Sequence, residues 1–254
     1  MENREISSNG TKKTRGKMVI FISGKGGVGK TVISVNTAVE LAGRGIPTCI
    51  MDGDFQFGDL NLALDLQPSF TISDLVQGAE SLDKVKISYY LDKHSSGVNV
   101  LSAPIKPEEA DLIKASHIKV ICEKILEEHD FLIVDLPSRL SENNLTFMEL
   151  ADEILLITDT SFTAIKNTKI MLRITRLLNM NDKIKVIINR ANAKGLIKSV
   201  DVKNMLDIQD AVFISNDTKV VSKSFAMGIP FVRSKPRNRI SRDIAAFADK
   251  FCRK

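Results

Sequence analysis

The sequence predicts an α/β fold: one doubly wound, mostly parallel sheet with helices on both faces. Three observations predict it. Short apolar runs alternate with stretches of helical periodicity along the whole chain, which is the pattern of repeated βα units. A glycine-rich turn, Gly24-Lys25-Gly26-Gly27-Val28-Gly29-Lys30-Thr31, stands between the first run and the first helix. Two runs end on an acid, Asp52 and Asp135, where the carboxyl ends of parallel strands open into a ligand crevice. A chain of 254 residues is long enough for one such domain with a substantial core, and residues 18–254 are assigned to it.

Residues 1–17 are polar, with Lys12, Lys13, Arg15 and Lys17 clustered before the first apolar run, and read as a flexible basic segment. Met18 to Ile22 reads as a buried strand, and Val32, Ile33, Val35, Ala38, Val39 and Ala42 then recur at helical spacing. The turn between them meets the spacing G-x-x-x-x-G-K-[ST] from Gly24 to Thr31. Gly24, Gly26, Gly27 and Gly29 let the backbone bring its N–H groups close to phosphate oxygens, and the helix opening at Lys30 adds its positive dipole end. Lys30 is placed to reach β- and γ-phosphates, and the Thr31 hydroxyl suits a Mg²⁺ ion. Lys25 is a second lysine with no evident phosphate of its own in a monomer.

Thr48 to Met51 reads as the next strand, ending on Asp52-Gly53-Asp54. Either acid is placed to accept a proton from water or to hold a Mg²⁺-bound water, whereas Asp59 reads more readily as a cap. Thr71–Leu75 and Leu82–Leu91 are expected as short helices, and Val98–Leu101 as a strand. Pro107, with Glu108 and Glu109, starts a helix expected to run to Glu128 with an interruption near Ser116. Phe131-Leu132-Ile133-Val134-Asp135 is the pattern of a buried central strand that delivers a carboxylate to the metal side of a bound triphosphate. Strands over Glu153–Thr158, Ile184–Asn189 and Val212–Ile214 follow, with a helix from about Phe162 to Leu178. Asn189 offers an amide that matches the edge of adenine, and it serves equally as a turn residue.

The composition, 43% hydrophobic and 26% charged, is that of a folded globular chain rather than a disordered one. No apolar run approaches the roughly 20 residues of a membrane helix, and the N-terminus does not read as a secretory signal. Three widely spaced cysteines, Cys49, Cys122 and Cys252, make neither a disulfide framework nor a C-x-x-C metal site, so a reducing cytoplasm is expected. The net charge of +5 is uneven: ten Lys/Arg lie between Lys219 and Lys254 against Asp243 and Asp249. That local surplus of eight leaves about −3 for the rest of the chain. DNA, anionic lipid, an acidic partner and plain solvation all remain open for this basic quarter. The apolar spacing from Ile240 to Phe251 reads either as the fold's last helix or as an amphipathic membrane segment, and the narrow stripe favours the former.

The loop G-K-G-G-V-G-K-T resembles the deviant Walker A motif of the ParA/MinD ATPases, and the likeness extends over roughly Met18 to Phe251. The resemblance implies ATP and Mg²⁺ as ligands, and a homodimer in which Lys25 reaches across to the partner's nucleotide. It gives Asp54 the task of orienting the attacking water and places Asp52, like Thr31 and Asp135, near the metal. Asn189 and Arg190 fall at the adenine position. Val32 stands where many relatives carry a hydroxyl on the α-phosphate, so its backbone N–H would serve instead. Asp135-Leu136-Pro137-Ser138 resembles the family's switch II without its glycine, and Ser215 replaces the proline usual before Asn216-Asp217. The run Asp52 to Asn61 is most similar to the CpaE and TadZ pilus-assembly branch. From that likeness follows a slow, partner-stimulated ATPase that localises a type IV or Flp-like pilus, cytoplasmic and polar or peripheral to the membrane. A DNA-associated partitioning ATPase and an ATP-locked scaffold without meaningful hydrolysis are the rival readings. The absence of paired cysteines argues against the nitrogenase-iron-protein branch. With Tyr89 and Tyr90 the only tyrosines, the tyrosine-kinase branch is disfavoured too.

Overall fold

A computed structural model describes residues 15–78 and 81–252. β1 (Lys17–Ser23) leads through the glycine turn into α1 (Lys30–Gly43), and β2 (Thr48–Asp52) follows. Two short helices, α2 (Leu60–Leu64) and α3 (Ile72–Gly78), precede the edge strands β3 (Asp92–Lys93) and β4 (Asn99–Leu101). The middle of the chain supplies α4 (Ala115–Glu128), β5 (Phe131–Asp135), α5 (Glu142–Leu150) and β6 (Glu153–Thr158). α6 (Phe162–Leu177), β7 (Ile184–Ile188), α7 (Ser199–Leu206) and β8 (Val212–Phe213) extend the sheet. The last helices are α8 (Thr218–Met227), α9 (Phe231–Ser234) and α10 (Arg239–Cys252).

The strands form one sheet in the order β3-β4-β2-β5-β1-β6-β7-β8, parallel except for the β3–β4 pair. The chain steps from β1 to β2 on one side and later from β5 to β6 on the other, so the order reverses around β1. That reversal opens a crevice at the carboxyl edge. Alternation along β1 feeds two cores: Met18, Ile20 and Ile22 face one layer, Val19 and Phe21 the other. α4, α5, α6 and α7 cover the first face, whereas α1, α2, α9 and α10 cover the second. In register, Asp52 of β2 lies beside Asp135 of β5, so pairing alone brings the two acids together.

The final helix belongs to the fold. Ile240, Ile244, Phe247 and Ala248 are buried in the second core, and Phe251 packs edge-on against Phe131 and Phe247. Arg44 at the end of α1 locks it in place through Asp249 (2.7 Å), the Ala245 carbonyl (2.9 Å) and its own neighbour Glu40 (3.0 Å). The stripe is therefore committed inward, and no described helix is long and apolar enough to cross a membrane.

Boundaries differ from the sequence reading in a few places. The first strand opens at Lys17, whose ammonium meets the buried Glu153, and Arg15 meets Asp152. The rest of the expected flexible segment, residues 1–14, lies outside the described residues. The helix expected over Leu82–Leu91 is two 3₁₀ turns, Leu82–Lys84 and Ile87–Tyr90. Extended backbone at Val85 and Lys86 separates the two turns. The helix begun by Pro107 is a 3₁₀ stretch to Leu112, and extended backbone at Ile113 and Lys114 separates it from α4.

Candidate functional site

The glycine turn lies at the carboxyl end of β1, at the crevice. Gly27 and Gly29 take φ of +78° and +94°, the left-handed region that side chains avoid. At Gly29 a Cβ would also strike the Asn189 amide. Four side chains hold the turn's carbonyls: Asn167 Nδ2 donates to Gly24 O (2.7 Å), Ser23 Oγ to Lys25 O (3.0 Å), Asn189 Nδ2 to Val28 O (2.7 Å), and Arg190 Nη2 to Gly27 O (3.0 Å). With its carbonyls turned to these donors, the loop leads into α1, whose opening N–H groups lack intrahelical acceptors and form a ready anion seat.

Beneath the turn, Asp135 gathers three donors. Lys30 Nζ lies 2.9 Å and Thr31 Oγ1 2.6 Å from its Oδ2, and Ser34 Oγ donates to Oδ1 at 3.0 Å. Lys30, Thr31 and Ser34 sit on one face of the first turn of α1, so the helix presents all three to the end of β5. Asp52, buried beside Asp135, accepts N–H bonds from Asp54 (3.0 Å) and Leu60 (3.1 Å). Burial first, and the Asp135 charge second, push its carboxyl up to about 7, against the pull of those N–H groups and of Lys30. Two carboxylates and the Thr31 hydroxyl are hard oxygen donors, the chemistry Mg²⁺ takes. Among the described residues no group of three or more His, Cys, Asp or Glu is placed to hold a metal ion. One or two carboxylates completed by phosphate oxygens and water is the usual Mg²⁺ arrangement.

Asp54 is partly exposed, and its carboxylate accepts the Phe57 N–H at 3.2 Å. Lys25 Nζ rests 3.4 Å from Ser161 Oγ, which donates to Asp159 Oδ1 at 2.6 Å. Asp159 also faces Arg190 across 3.6 Å, so Lys25, through Ser161, and Arg190 share one anchor beside the turn. On the far side, Gly29, Val32, Asn189 and Arg190 line a small pocket of about 60 Å³ with Ser215, Asn216, Asp217, Thr218 and Val221. Ser215 N–H is held by Asp243 (2.8 Å), and Asp217 caps α8 by accepting from Val220 N (3.0 Å).

A family model described as an AAA domain matches residues 16–190. The chloroplastic septum site-determining minD homolog of Arabidopsis thaliana is 30% identical over 236 residues, 87% of this chain and 70% of its own. The chain belongs to the ParA/MinD family of P-loop ATPases. Its fold matches that of a ParA family ATPase from Chlorobium tepidum with a TM-score of 0.85 at 20% identity, over 92% of this chain and 98% of the other. Pyrococcus horikoshii MinD, solved with Mg-ADP, superposes with a TM-score of 0.80 at 21% identity, over 93% and 96% of the two chains.

Against the sequence reading of this ParA/MinD ATPase, the structure joins Lys30, Thr31, Asp52 and Asp135 in one cluster under the turn. Val32, Asn189 and Arg190 line the neighbouring pocket. Asn189 spends its amide on the loop and on the Arg190 N–H (2.8 Å), so bracing the turn is part of its work. Asp54 is tied to the cluster through the backbone only, by its N–H on Asp52. Sequence reasoning missed Ser34, although a polar residue one helical turn after Lys30 faces the same way. It also missed Asn167, Asp159 and Ser161, whose approach depends on how α6 docks beside the turn and leaves no local signal.

Proposed function

We propose that this chain is a Mg²⁺-ATP-dependent ATPase of the deviant Walker A type that dimerises around nucleotide and positions other cellular machinery. The observation that carries the reading is the convergence of Lys30 and Thr31 on Asp135 beneath a glycine turn at the sheet's reversal point. Gly24, Gly26, Gly27, Val28 and Gly29 supply backbone N–H groups to the phosphates, and Lys30 supplies the charge. Thr31, Asp135 and, behind them, Asp52 would hold Mg²⁺, which neutralises charge developing on the phosphate oxygens. Asp54 orients the attacking water. Val32, Asn189 and Arg190 line the side where the base is received.

Among the described residues Lys25 has only a long bond to the Ser161 hydroxyl of its own subunit, so it is available to a partner's triphosphate. Two such lysines favour the dimer while triphosphate is present, and hydrolysis removes that attraction. The run from Asp52 to Asn61 supports assignment to the pilus-assembly branch.

The test is sedimentation and phosphate release for wild type and Lys25→Ala with Mg-ATP and Mg-ADP. The expected result is an ATP-dependent dimer with slow turnover in wild type, and a monomer that still binds nucleotide in the variant. A wild-type monomer under every condition refutes the dimer, and absence of any nucleotide-induced melting shift refutes the site. The pilus assignment stands apart from both: deletion of the gene should remove surface pili, and unchanged piliation would reject it.

A further inference from the structure

α8 carries two features that cost stability and that no salt bridge among the described residues offsets. Lys219 occupies its second position, where the helix dipole disfavours a cation, and Lys223 follows four residues later on the same face as a like-charge neighbour. Among the described residues no salt bridge ties Lys219, Lys223 or Lys235 to a carboxylate. Lys219 does act at longer range on Asp217. The three lysines line a groove of about 320 Å³ between α8 and the end of α9 together with Val220, Met227 and Ile229. Met227 and Ile229 are 51% and 41% exposed.

A solvated basic face needs no apolar floor. Nucleic-acid phosphates would meet the lysines and leave Met227 and Ile229 wet. A flat bilayer calls for a long, continuous apolar face, whereas here Val220, Met227 and Ile229 share one small groove with Lys219, Lys223 and Lys235. A convex apolar side chain flanked by carboxylates satisfies both features together. Lys219 and Lys223 are one helical turn apart, so carboxylates at matching spacing on a short helix would pair with them.

We infer that this groove docks an acidic, amphipathic segment of a partner protein, with one bulky apolar residue seated on Met227 and Ile229 between carboxylates that meet Lys219, Lys223 and Lys235. The opposite side of the same helix, at Val221, walls the small pocket beside Asn189. The assignment goes beyond the proposed ATPase and does not depend on turnover.

The test is selection of a random dodecapeptide display library on the full chain, with affinities of the selected peptides measured by fluorescence anisotropy at physiological salt. Wild type is compared with Lys219→Glu/Lys223→Glu and, separately, with Met227→Asp, all with melting temperatures checked. The expected peptides carry two carboxylates three or four residues apart beside a Leu, Ile, Met or Phe, and lose at least tenfold in affinity for both variants. Failure to enrich peptides, enrichment without an acidic bias, or binding unchanged in the charge-reversal variant overturns the inference. A 20-base-pair DNA duplex and phosphatidylglycerol vesicles are run alongside. If either binds wild type and not the charge-reversal variant while no acidic peptide is selected, the face belongs to that ligand instead.

Discussion

The Lys30–Asp135 pair is the part of the site whose energetics can be worked from the structure. Its two side chains are 12% and 5% exposed and 2.9 Å apart. Breaking such a pair by deleting one partner costs about 3–5 kcal/mol, because the survivor keeps an uncompensated charge. For Asp135→Ala the lower end applies. Asp52, raised to about 7 by burial first and the Asp135 charge second, is largely ionised at pH 8 and, relieved of that charge, acts on Lys30 in place of Asp135. Lys30→Met leaves Asp135 with the Thr31 and Ser34 hydroxyls but strands it beside Asp52, and a loss of about 3 kcal/mol is expected there too. The double variant removes both charges and leaves two hydroxyls to find water, a loss of about 1–2 kcal/mol. Simple addition would give about 6 kcal/mol, so the cycle should show a coupling of about 4 kcal/mol. Urea unfolding of nucleotide-free protein in EDTA at pH 8 measures it, read as the midpoint at constant m-value. A double variant as unstable as the sum of the singles would refute the buried-pair argument, and singles at wild-type stability would refute it as well.

Two more variants probe the same cluster. Gly29→Ala forces a side chain into φ +94° and against the Asn189 amide that braces Val28. The strain of about 1–2 kcal/mol should lower the melting temperature by several degrees and abolish the additional shift given by Mg-ATP. Asp52 has a folded-state pKa raised from the ordinary carboxylate range to about 7, so the fold binds its proton more tightly than the unfolded chain does. Its contribution is complete below about pH 4 and is lost as pH rises through 7, a span of about 4 kcal/mol at most. Without metal or nucleotide, Asp52→Asn should therefore gain on wild type steadily between pH 4 and pH 7.5 in urea unfolding. A constant difference across that range would show that Asp52 is not held protonated.

What was legible in the sequence is what local pattern controls. The glycine turn, the strand–turn–helix order and the acids ending β2 and β5 are all consecutive or periodic features, and the structure places them as read. Elements outside the central strands were harder to read. α8 is bracketed by Asp217, which caps it, and Gly228, which ends it at φ +58°, but the interior exposes most of its residues and carries no strong core stripe. Only Ser224 of that helix is fully buried. β3 is two residues long and antiparallel at an edge, too short for any periodicity. In the site, the illegible residues were those brought in by the end of β6 and by docking of α6: Asp159 facing Arg190, Ser161 under Lys25, Asn167 on Gly24. Their sequence distance from the turn exceeds 100 residues, and nothing in their own neighbourhoods marks them.

Those late-arriving residues change what nucleotide binding has to accomplish. Each cation around the turn already has an internal partner: Lys30 has Asp135, Lys25 has Ser161, and Arg190 has both Asp159 and the Gly27 carbonyl. Under the proposed function, a triphosphate draws Lys30 from Asp135 and frees that carboxylate for the metal, so the new contacts are offset by the old ones they replace. The partners are unequal. Lys30 is held by a buried ion pair, whereas Lys25 is held by one hydroxyl at 3.4 Å. Within a subunit the stronger tie must yield to phosphate, and between subunits only the weaker one must. On the proposed role of Lys25, dimerisation meets little internal resistance there, and the larger rearrangement belongs to loading. Under the proposed function, burial and distance put the larger cost on the nucleotide step and the smaller one on the subunit step.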